Sequence, residues 1–311
     1  MSYATLMVHV DVAGELGAHV KLAGELAKRL HAHLIGISGW APTSVFLAEE
    51  ALQDPMASTP PLQEMKSILD MKGQQFQAAF NTEGRTVEWR TGLDFPSDYI
   101  AREARAADLL VIGRSSTSDP FRALDPGGLV LKAGRPVLLV PNNVTSFLAN
   151  RIAIAWKDTR EARRAVVDAL PLLDMAERVT IVEVCTDEFP TKIEDVSSYL
   201  GRRGIHVNCE RLRPVRDATT AQCLLQFVRS QNIDLIVAGG YVHSRNFWRR
   251  DARYAAGQSD LLPVSTLNNA CDSLTFASLG LTPDVALAVN RLRQFNSKTD
   301  NKCDCLGGFP A

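Results

Sequence analysis

Short apolar runs alternate with amphipathic stretches through the first half of the chain. The runs predict buried strands, and apolar residues at spacings of three and four predict helices between them. The predicted strands are residues 6–10, 34–37, 86–89, 108–113 and 137–140, and the predicted helices are 22–30, 62–80 and 96–107. Strands that alternate with helices predict a parallel sheet with helices on its faces.

The second half repeats this order. Its predicted strands are residues 151–156, 179–184, 205–207 and 235–238, and its predicted helices are 162–173, 193–203 and 219–232. Asp158, with Glu161 three residues later, predicts a capping box at the start of the first helix. We therefore expect two tandem doubly wound α/β domains, residues 1–145 and 150–245, with the second incomplete at its C-terminus and an atypical, poorly ordered tail at 246–311.

One motif occurs in both halves. Asp108-Leu-Leu-Val-Ile-Gly-Arg returns as Asp234-Leu-Ile-Val-Ala-Gly-Gly. Each copy follows a predicted helix and reads as a buried strand that ends in a glycine turn. In open parallel sheets, ligands bind beyond the carboxyl ends of the strands where the strand order reverses, here the first and fourth. The candidate site of each half is therefore the loop after its first strand together with the glycine turn after its fourth.

The composition of the chain argues against several classes of function. The 311 residues suit about two domains, with 46% hydrophobic and 22% charged residues and a net charge of −1. A chain with this net charge has no excess of positive charge with which to bind nucleic acid or acidic membranes. No apolar run approaches the ~20 residues of a membrane span, so we expect a cytoplasmic protein. Cys303-x-Cys305 lacks a second ligand pair, and no metal site is predicted.

Four strings together resemble the tandem universal stress proteins over residues 3–245. They are residues 108–113, 133–141, 155–165 and 234–245. The resemblance implies small domains of the adenine-nucleotide alpha hydrolase type, a stress-response function exercised by binding and association, and ATP or AMP as the ligand. It also implies a homodimer formed through the final strand of the first domain, Val137–Val140.

The resemblance implies a nucleotide site as well. Members that bind ATP carry an acidic residue after the first strand and a Gly-x-x-Gly, nine residues, Gly-Ser/Thr pattern after the fourth. The matching candidates in this chain are Asp11, Asp158, Gly239, Gly240, His243, Ser244 and Arg245. Backbone amides at such glycines approach phosphates closely. Neither half completes the pattern, because Ser116 and Val242 stand at the second glycine and Lys157 stands at the acidic position of the second half. Nucleotide binding is therefore expected to be impaired.

Each candidate also has a structural interpretation. Gly239 and Gly240 can make a tight strand-to-helix turn. His243 and Arg245 can be solvated turn residues, and Asp11 can cap the helix that follows it. His9, which alternates with apolar residues, fits a hydrogen-bonded structural histidine.

The tail after Arg245 departs from the resemblance. Read one nucleotide later, codons permitted for residues 246–264 can spell Gly-Gly-Val-Thr-Arg-Asp followed by a helix and a strand, in the order of the resemblance. We therefore expect a frameshift, and sequencing of codons 240 to 265 tests it. A genuine extension is the alternative, with residues 283–293 as a short helix. In both cases the second domain is expected to lack its fifth strand.

No nucleophile, base and orienting group occur together, and Gly-x-Ser-x-Gly and lysine-bearing phosphate loops are missing. The sequence therefore predicts a binding protein that is not an enzyme. The alternative function is an ATP-binding protein with slow hydrolysis, in which Asp11 or Asp158 acts through a metal ion.

Overall fold

The computed structural model describes residues 2–42, 62–81, 86–113, 117, 119, 121–141, 144, 146–185, 192–214 and 220–239, together with the backbone of 286–289. The elements of the first half are β1 (Thr5–His9), α1 (Ala18–Arg29), β2 (His33–Gly39), α2 (Leu62–Phe80), β3 (Glu88–Gly92), α3 (Pro96–Glu103), β4 (Leu109–Gly113), α4 (Pro126–Ala133) and β5 (Val137–Val140). Those of the second half are β6 (Arg151–Trp156), α5 (Arg160–Asp168), α6 (Leu170–Leu173), β7 (Arg178–Val184), α7 (Ile193–Gly201), β8 (Val207–Leu212), α8 (Thr220–Ser230), β9 (Leu235–Gly239) and β10 (Ala286–Val289).

The strands form one sheet in the order β3-β2-β1-β4-β5-β10-β9-β6-β7-β8. Within each half every neighbouring pair is parallel, and the two halves have the same strand order in mirror sequence along the sheet. The predicted fold class, two doubly wound parallel α/β units in tandem, is confirmed.

β10 is the main difference from the sequence prediction. We expected no fifth strand in the second half, and the alternative of a genuine extension gave a short helix at 283–293, but the backbone of 286–289 is a strand that pairs parallel with β9 and antiparallel with β5. The physical reason is that β5 and β9 would otherwise present unpaired backbone groups at two open edges. The remaining residues of the expected poorly ordered tail, and the proposed frameshift, lie outside the described residues.

A single apolar cluster packs against one face of the sheet and includes residues of both halves. Leu22 and Leu26 of α1 and Phe76 of α2 contribute from the first half, and Val166 and Leu200 contribute from the second. The opposite face carries a separate cluster in each half. Tyr3 also joins the halves, because its hydroxyl donates to the carbonyl oxygen of Asp168 over 2.5 Å. Within the described ranges, no helix combines the length and apolarity needed to cross a membrane.

The aspartates at the start of the two copies of the repeated motif have the same structural role. Asp108 accepts hydrogen bonds from the backbone N–H groups of Ala4 and Thr5, at 2.8 and 3.0 Å. Asp234 accepts from those of Asn150 and Arg151, at 3.0 and 3.1 Å. Each carboxylate thus fixes the start of the first strand of its own half against the fourth, which explains why the motif begins with aspartate.

We expect Asp234→Ala to lower the free energy of unfolding by about 1–3 kcal/mol, because two backbone donors lose a charged acceptor. Urea denaturation measures the loss. Asp70→Ala, on the exposed side of α2, is the matched control and should change stability by less than about 0.5 kcal/mol. Equal effects of the two substitutions would contradict this role for Asp234.

Several local predictions need correction. The third strand of the first half, β3, runs from Glu88 to Gly92, so it begins two residues and ends three residues later than predicted. The third strand of the second half, β8, begins at Val207, two residues later than expected. The predicted capping box at Asp158 is wrong, because the N-cap of α5 is Thr159, whose Oγ1 accepts a hydrogen bond from the backbone N–H of Ala162 at 3.2 Å. Asp158 is one residue too early to reach that amide.

Candidate functional site

The strand order reverses between β1 and β4 in the first half and between β6 and β9 in the second. A candidate crevice therefore lies at the carboxyl ends of each of these strand pairs. β1 and β6 are separated by four strands, so among the described candidate residues Asp11 lies apart from Asp158 and Gly239. Asp11 belongs to the first-half crevice, whereas Asp158 and Gly239 belong to the second-half crevice. Gly240, His243, Ser244 and Arg245 lie outside the described residues.

Asp11 shapes the loop between β1 and α1. Its Oδ1 accepts a hydrogen bond from the backbone N–H of Ala13 at 3.0 Å. The N-cap of α1 is Gly17, which provides no side chain for capping. The interpretation of Asp11 as a helix cap is therefore wrong, and its carboxylate stabilises the loop instead.

A histidine that the sequence analysis did not identify fills the first-half crevice. The imidazole of His19, on α1, is buried and lies so close to Gly113 that a Cβ at residue 113 would overlap the ring. Its Nε2 donates a hydrogen bond to the carbonyl oxygen of His9 at 2.8 Å. Gly113 is therefore required for the close approach of an imidazole, in the place where the resemblance implies a phosphate.

The two histidines of this crevice are held in the neutral form. Burial lowers the pKa of the His9 imidazole to about 4, helped by the nearby His19, while the carboxylate of Asp11 acts weakly in the opposite direction. Burial also lowers the pKa of His19, opposed by its hydrogen bond to the His9 carbonyl and by Asp11. His9 thus proves to be a buried structural residue of β1, as one interpretation of the sequence held.

An apolar cluster covers the outside of the same crevice. Val12, Trp40, Met65 and Leu69 are buried together, and Phe121 packs against them. The chain between β4 and α4 reaches this cluster, because the backbone N–H of Ala41 donates to the carbonyl oxygen of Phe121 at 2.9 Å. The guanidinium of Arg122 also lies 5.0 Å from the centre of the Trp40 ring. Among the described residues, the carboxyl edge of the first half is therefore partly covered by its own side chains.

Lys72 is a second residue that the sequence analysis missed. It lies on α2, is only 4% exposed, and its ammonium group donates to the carbonyl oxygen of Gly14 and to Oε1 of Gln75. The buried cation thereby fastens the β1–α1 loop to α2. Its spacing from Met65, Leu69 and Phe76 places it on the buried face of the helix, which is the signal that could have identified it.

In the second half, Asp158 is held by an ion pair. Its Oδ1 accepts from Nη2 and Nε of Arg163, at 2.5 and 3.0 Å, and its side chain is half exposed. In the described ranges, no group of three or more His, Cys, Asp or Glu side chains is arranged to hold a metal ion. The arrangement at Asp158 is that of a solvated ion pair beside the first turn of α5.

Gly239 ends β9 directly against α5. A Cβ at residue 239 would lie 2.7 Å from the backbone nitrogen of Ala162 and 2.8 Å from the carbonyl carbon of Glu161. The glycine therefore permits the start of α5 to pack on the end of β9, which supports a structural role at this position. The same packing brings the β6–α5 loop and the end of β9 to one place, as a shared crevice requires.

Trp156, the last residue of β6, carries an unsatisfied donor at the carboxyl end of that strand. The residue is 8% exposed, and its indole Nε1 has no hydrogen-bond acceptor among the described residues. A buried donor without a partner costs about 1–3 kcal/mol, which a ligand acceptor would relieve. In the first half the comparable buried groups are the hydroxyl of Ser38 and the indole Nε1 of Trp89.

Comparison with known proteins relates this fold to one group of structures. No known protein family's sequence profile matches the chain, and no curated protein matches it. Among solved structures, a universal stress protein from Archaeoglobus fulgidus aligns with a TM-score of 0.61 and 14% identity, over 93% of this chain and 97% of that one.

Two further structures belong to the same group. A Pseudomonas aeruginosa protein classed with the universal stress proteins aligns with a TM-score of 0.49 and 13% identity, over 92% of this chain and 93% of its own. A universal stress protein solved in complex with cAMP aligns over 46% of this chain and 100% of its own, with a TM-score of 0.31 and 22% identity. The alignment with the Archaeoglobus fulgidus structure shows that the chain shares the fold of the universal stress proteins, and at this level the resemblance predicted from its sequence is confirmed.

Proposed function

We propose that this chain is a cytoplasmic stress-response protein of the universal stress type, which acts by binding and association and takes an adenine nucleotide weakly in its second half. The observation that carries the proposal is the contrast between the two crevices. The first is partly occupied by its own residues, whereas beside the second the last residue of β6, Trp156, carries a buried indole donor without an acceptor.

The first half supports the proposal because described side chains of its own occupy part of its crevice. His19 occupies the space against Gly113, and the cluster of Val12, Trp40 and Phe121 covers it from outside. A ligand would have to displace a buried imidazole and an aromatic cluster, which costs several kcal/mol of lost packing. We therefore expect no more than one nucleotide per chain.

The second half supports binding through groups on two neighbouring strands. Trp156 ends β6 and Gly239 ends β9, and the first turn of α5 lies between them. The N–H groups of that first turn give a helix terminus its partial positive charge, which favours anionic ligands. Val242 and Lys157 depart from the nucleotide-binding pattern of the resemblance, so the affinity is expected to be weak, with a Kd of ~1 mM.

Trp156→Phe is the decisive variant, because it retains the ring and removes the unsatisfied donor. We expect nucleotide binding to become about 3- to 10-fold weaker, the effect of losing one hydrogen bond. Equilibrium dialysis with labelled ATP, AMP and cAMP up to several millimolar measures both affinity and stoichiometry. cAMP is included because one of the compared structures was solved with it.

Trp89→Phe is the matched control. The indole Nε1 of Trp89 is also buried and without an acceptor among the described residues, but it lies over Gly73 in the first half. This variant should bind nucleotide as the parent chain does. Two nucleotides per chain, no binding at millimolar concentration, or equal weakening by both variants would overturn the proposal.

We further infer that the ligand is bound without turnover. In the slow-hydrolysis alternative, Asp11 or Asp158 would act through a metal ion, but Asp11 is engaged by the Ala13 amide and Asp158 by Arg163. A carboxylate that already has a cationic partner is a poorer ligand for Mg²⁺. Phosphate release from ATP with Mg²⁺ should therefore not exceed the rate of a heat-denatured sample.

A further inference from the structure

The described strands leave two outer edges, one at each end of the sheet. β3 ends the sheet on the first-half side, and β8 ends it on the second-half side. β5, through which the resemblance implies a homodimer, lies between β4 and β10 and is not an edge strand. An edge strand presents backbone N–H and C=O groups with which another chain can pair. The hydrogen bonds on the outer sides of β3 and β8 therefore decide where a partner can attach.

The outer side of β3 is partly closed by side chains of the first half. In a parallel ladder, alternate residues direct their backbone groups to opposite sides of the strand. The carbonyl oxygen of Gly92 accepts from the residue that follows β2 at 3.1 Å, so Thr91 faces outward, and its carbonyl oxygen accepts from the hydroxyl of Tyr99 at 2.7 Å. The N–H of Val87, which also faces outward, donates to Oδ1 of Asn81 at 3.0 Å. β3 is thereby protected against pairing.

The outer side of β8 lacks such protection. The carbonyl oxygen of Leu212 accepts from the backbone N–H of Cys185 at 2.9 Å, so Leu212 faces β7. By the same alternation, Val207 and Cys209 direct their backbone groups outward, and no described residue donates to these groups or accepts from them. Residues 208–211 are all exposed. Within the described part of the chain, β8 therefore offers an uncovered strand edge to an extended partner.

α7 lies over this edge, and its charges are divided between its two ends. Nη2 of Arg211 on β8 donates to Oε1 of Glu194 at 2.7 Å, which places the start of α7 above the end of β8. Glu194 belongs to the first turn of α7, Arg202 directly follows its last residue, and both are exposed. Glu194, Ser198 and Arg202 are spaced by four, so they follow one side of the helix. This side is acidic at one end and basic at the other.

An antiparallel pair of identical strands has a twofold axis that places one residue opposite itself, and the charges of β8 decide which residue that is. An axis at Glu210 or Arg211 would place like charges directly opposite each other, which is destabilising. An axis at Cys209 places Val207 opposite Arg211. It also places Asn208 opposite Glu210, so no like charges meet. Because Cys209 faces outward, its two copies can exchange both backbone hydrogen bonds.

α7 runs antiparallel to β8, as the helix of a βαβ unit does, so the same axis places unlike ends of the two α7 helices side by side. Ser198 lies about 6 Å along the helix from Glu194. Cys209 lies about 7 Å along the strand from Arg211. Since the two starting residues are bonded to each other, Ser198 lies level with the axis. Glu194 of each copy therefore lies opposite Arg202 of the other.

We propose that β8 and α7 form a twofold interface between two copies of this chain, with the axis at Cys209. The sheets of the two copies continue into each other through β8, and two pairs of Glu194 with Arg202 link the helices above the joint. The strand edge and the helix charges select the same axis independently, which favours a second copy as the occupant. An extended segment of another protein would pair with β8 but would supply no complement to the charges of α7.

Charge exchange between two differently tagged full-length chains tests the interface. Light scattering of the parent protein should show a species of twice 34.0 kDa. Arg202→Glu alone places Glu194 opposite a glutamate, and Glu194→Lys alone places Arg202 opposite a lysine. Each variant should therefore dimerise at least about 10-fold more weakly than the parent. Mixed in equal amounts, the two variants should form heterodimers and recover most of the affinity, because both pairs then have unlike charges.

Cys209→Pro separates the pairing of β8 from the folding of the chain. Proline lacks the N–H that faces outward at this position, whereas the bonds of β8 to β7 come from the alternate residues. We expect this variant to keep the circular dichroism spectrum of the parent and to be monomeric. Arg164→Glu, on the exposed side of α5, is the matched control for the charge changes and should dimerise as the parent does.

The native thiol of Cys209 reports the register directly. Opposed residues of a hydrogen-bonded antiparallel pair have Cα atoms about 5.5 Å apart, a distance that a disulfide spans. Mild oxidation should link two Cys209 residues, as identified by mass spectrometry, and this link joins two chains because each chain has one Cys209. The proposal fails if the parent is monomeric up to ~0.1 mM or if its dimers do not link through Cys209. It also fails if Arg202→Glu or Cys209→Pro leaves dimerisation unchanged.

Discussion

Gly239→Ala is expected to lower the free energy of unfolding by about 3 kcal/mol, the upper part of the range for inserting a methyl group into a packed site. The new Cβ would meet backbone atoms of Glu161 and Ala162, at 2.8 and 2.7 Å. Backbone atoms cannot relieve the overlap by a change of rotamer, as a flexible side chain can. The whole of α5 would therefore have to shift away from β9. Thermal and urea denaturation, followed by circular dichroism, measure the change.

Gly201→Ala provides the matched control. Gly201 is the last residue of α7, and a Cβ there would have no heavy atom within 4 Å. Alanine has the higher helix propensity, so this variant should be neutral or more stable by up to about 1 kcal/mol. If Gly239→Ala is equally well tolerated, the close packing of α5 on β9 does not explain the glycine.

The stability of the protein is expected to fall by roughly 3 kcal/mol between pH 6.5 and pH 4 through His9 alone. The pKa of His9 is lowered from 6.5 in the unfolded chain to about 4 in the fold. The unfolded chain therefore binds the proton first as the pH falls, which favours unfolding. The contribution is fully present above pH 6.5 and is lost as the pH falls through 4. The lowered pKa of His19 acts in the same direction.

His9→Gln isolates this effect, because glutamine is polar and does not titrate. Urea denaturation at a series of pH values between 7.5 and 4.5 should give a shallower slope for this variant than for the parent chain. His206→Gln, which changes an exposed imidazole near β8, is the control and should leave the slope unchanged. A parent stability that does not vary over this range would contradict the burial of a neutral His9.

Periodicity was sufficient to predict most of the fold. Strands such as Arg151–Trp156 and helices such as Leu62–Phe80 appear with the predicted bounds, because the apolar pattern of each is complete within its own segment. β10 could not be predicted in the same way. Four apolar residues, Ala-Leu-Ala-Val, become a strand only because β5 and β9 flank them, and a local sequence pattern does not predict which distant strands pair.

The site was harder to predict than the fold. The repeated glycines indicate which strand ends matter, and the structure places Gly113 and Gly239 at those ends. What each glycine contacts depends on residues far away in sequence: His19 of α1 for the first and the backbone of α5 for the second. Both His19 and Lys72 lie on buried helix faces, and a polar residue at a buried helical position is the signal that would have found them.

The antiparallel pairing of β5 with β10 has a consequence for the whole molecule. Because the direction of the strands reverses at this joint, the carboxyl ends of the first-half strands and those of the second-half strands point to opposite margins of the sheet. A molecule bound beside Trp156 therefore faces away from His19 and Asp11. The two crevices of the duplicated chain therefore open at opposite margins of one sheet, so that neither can share a ligand with the other.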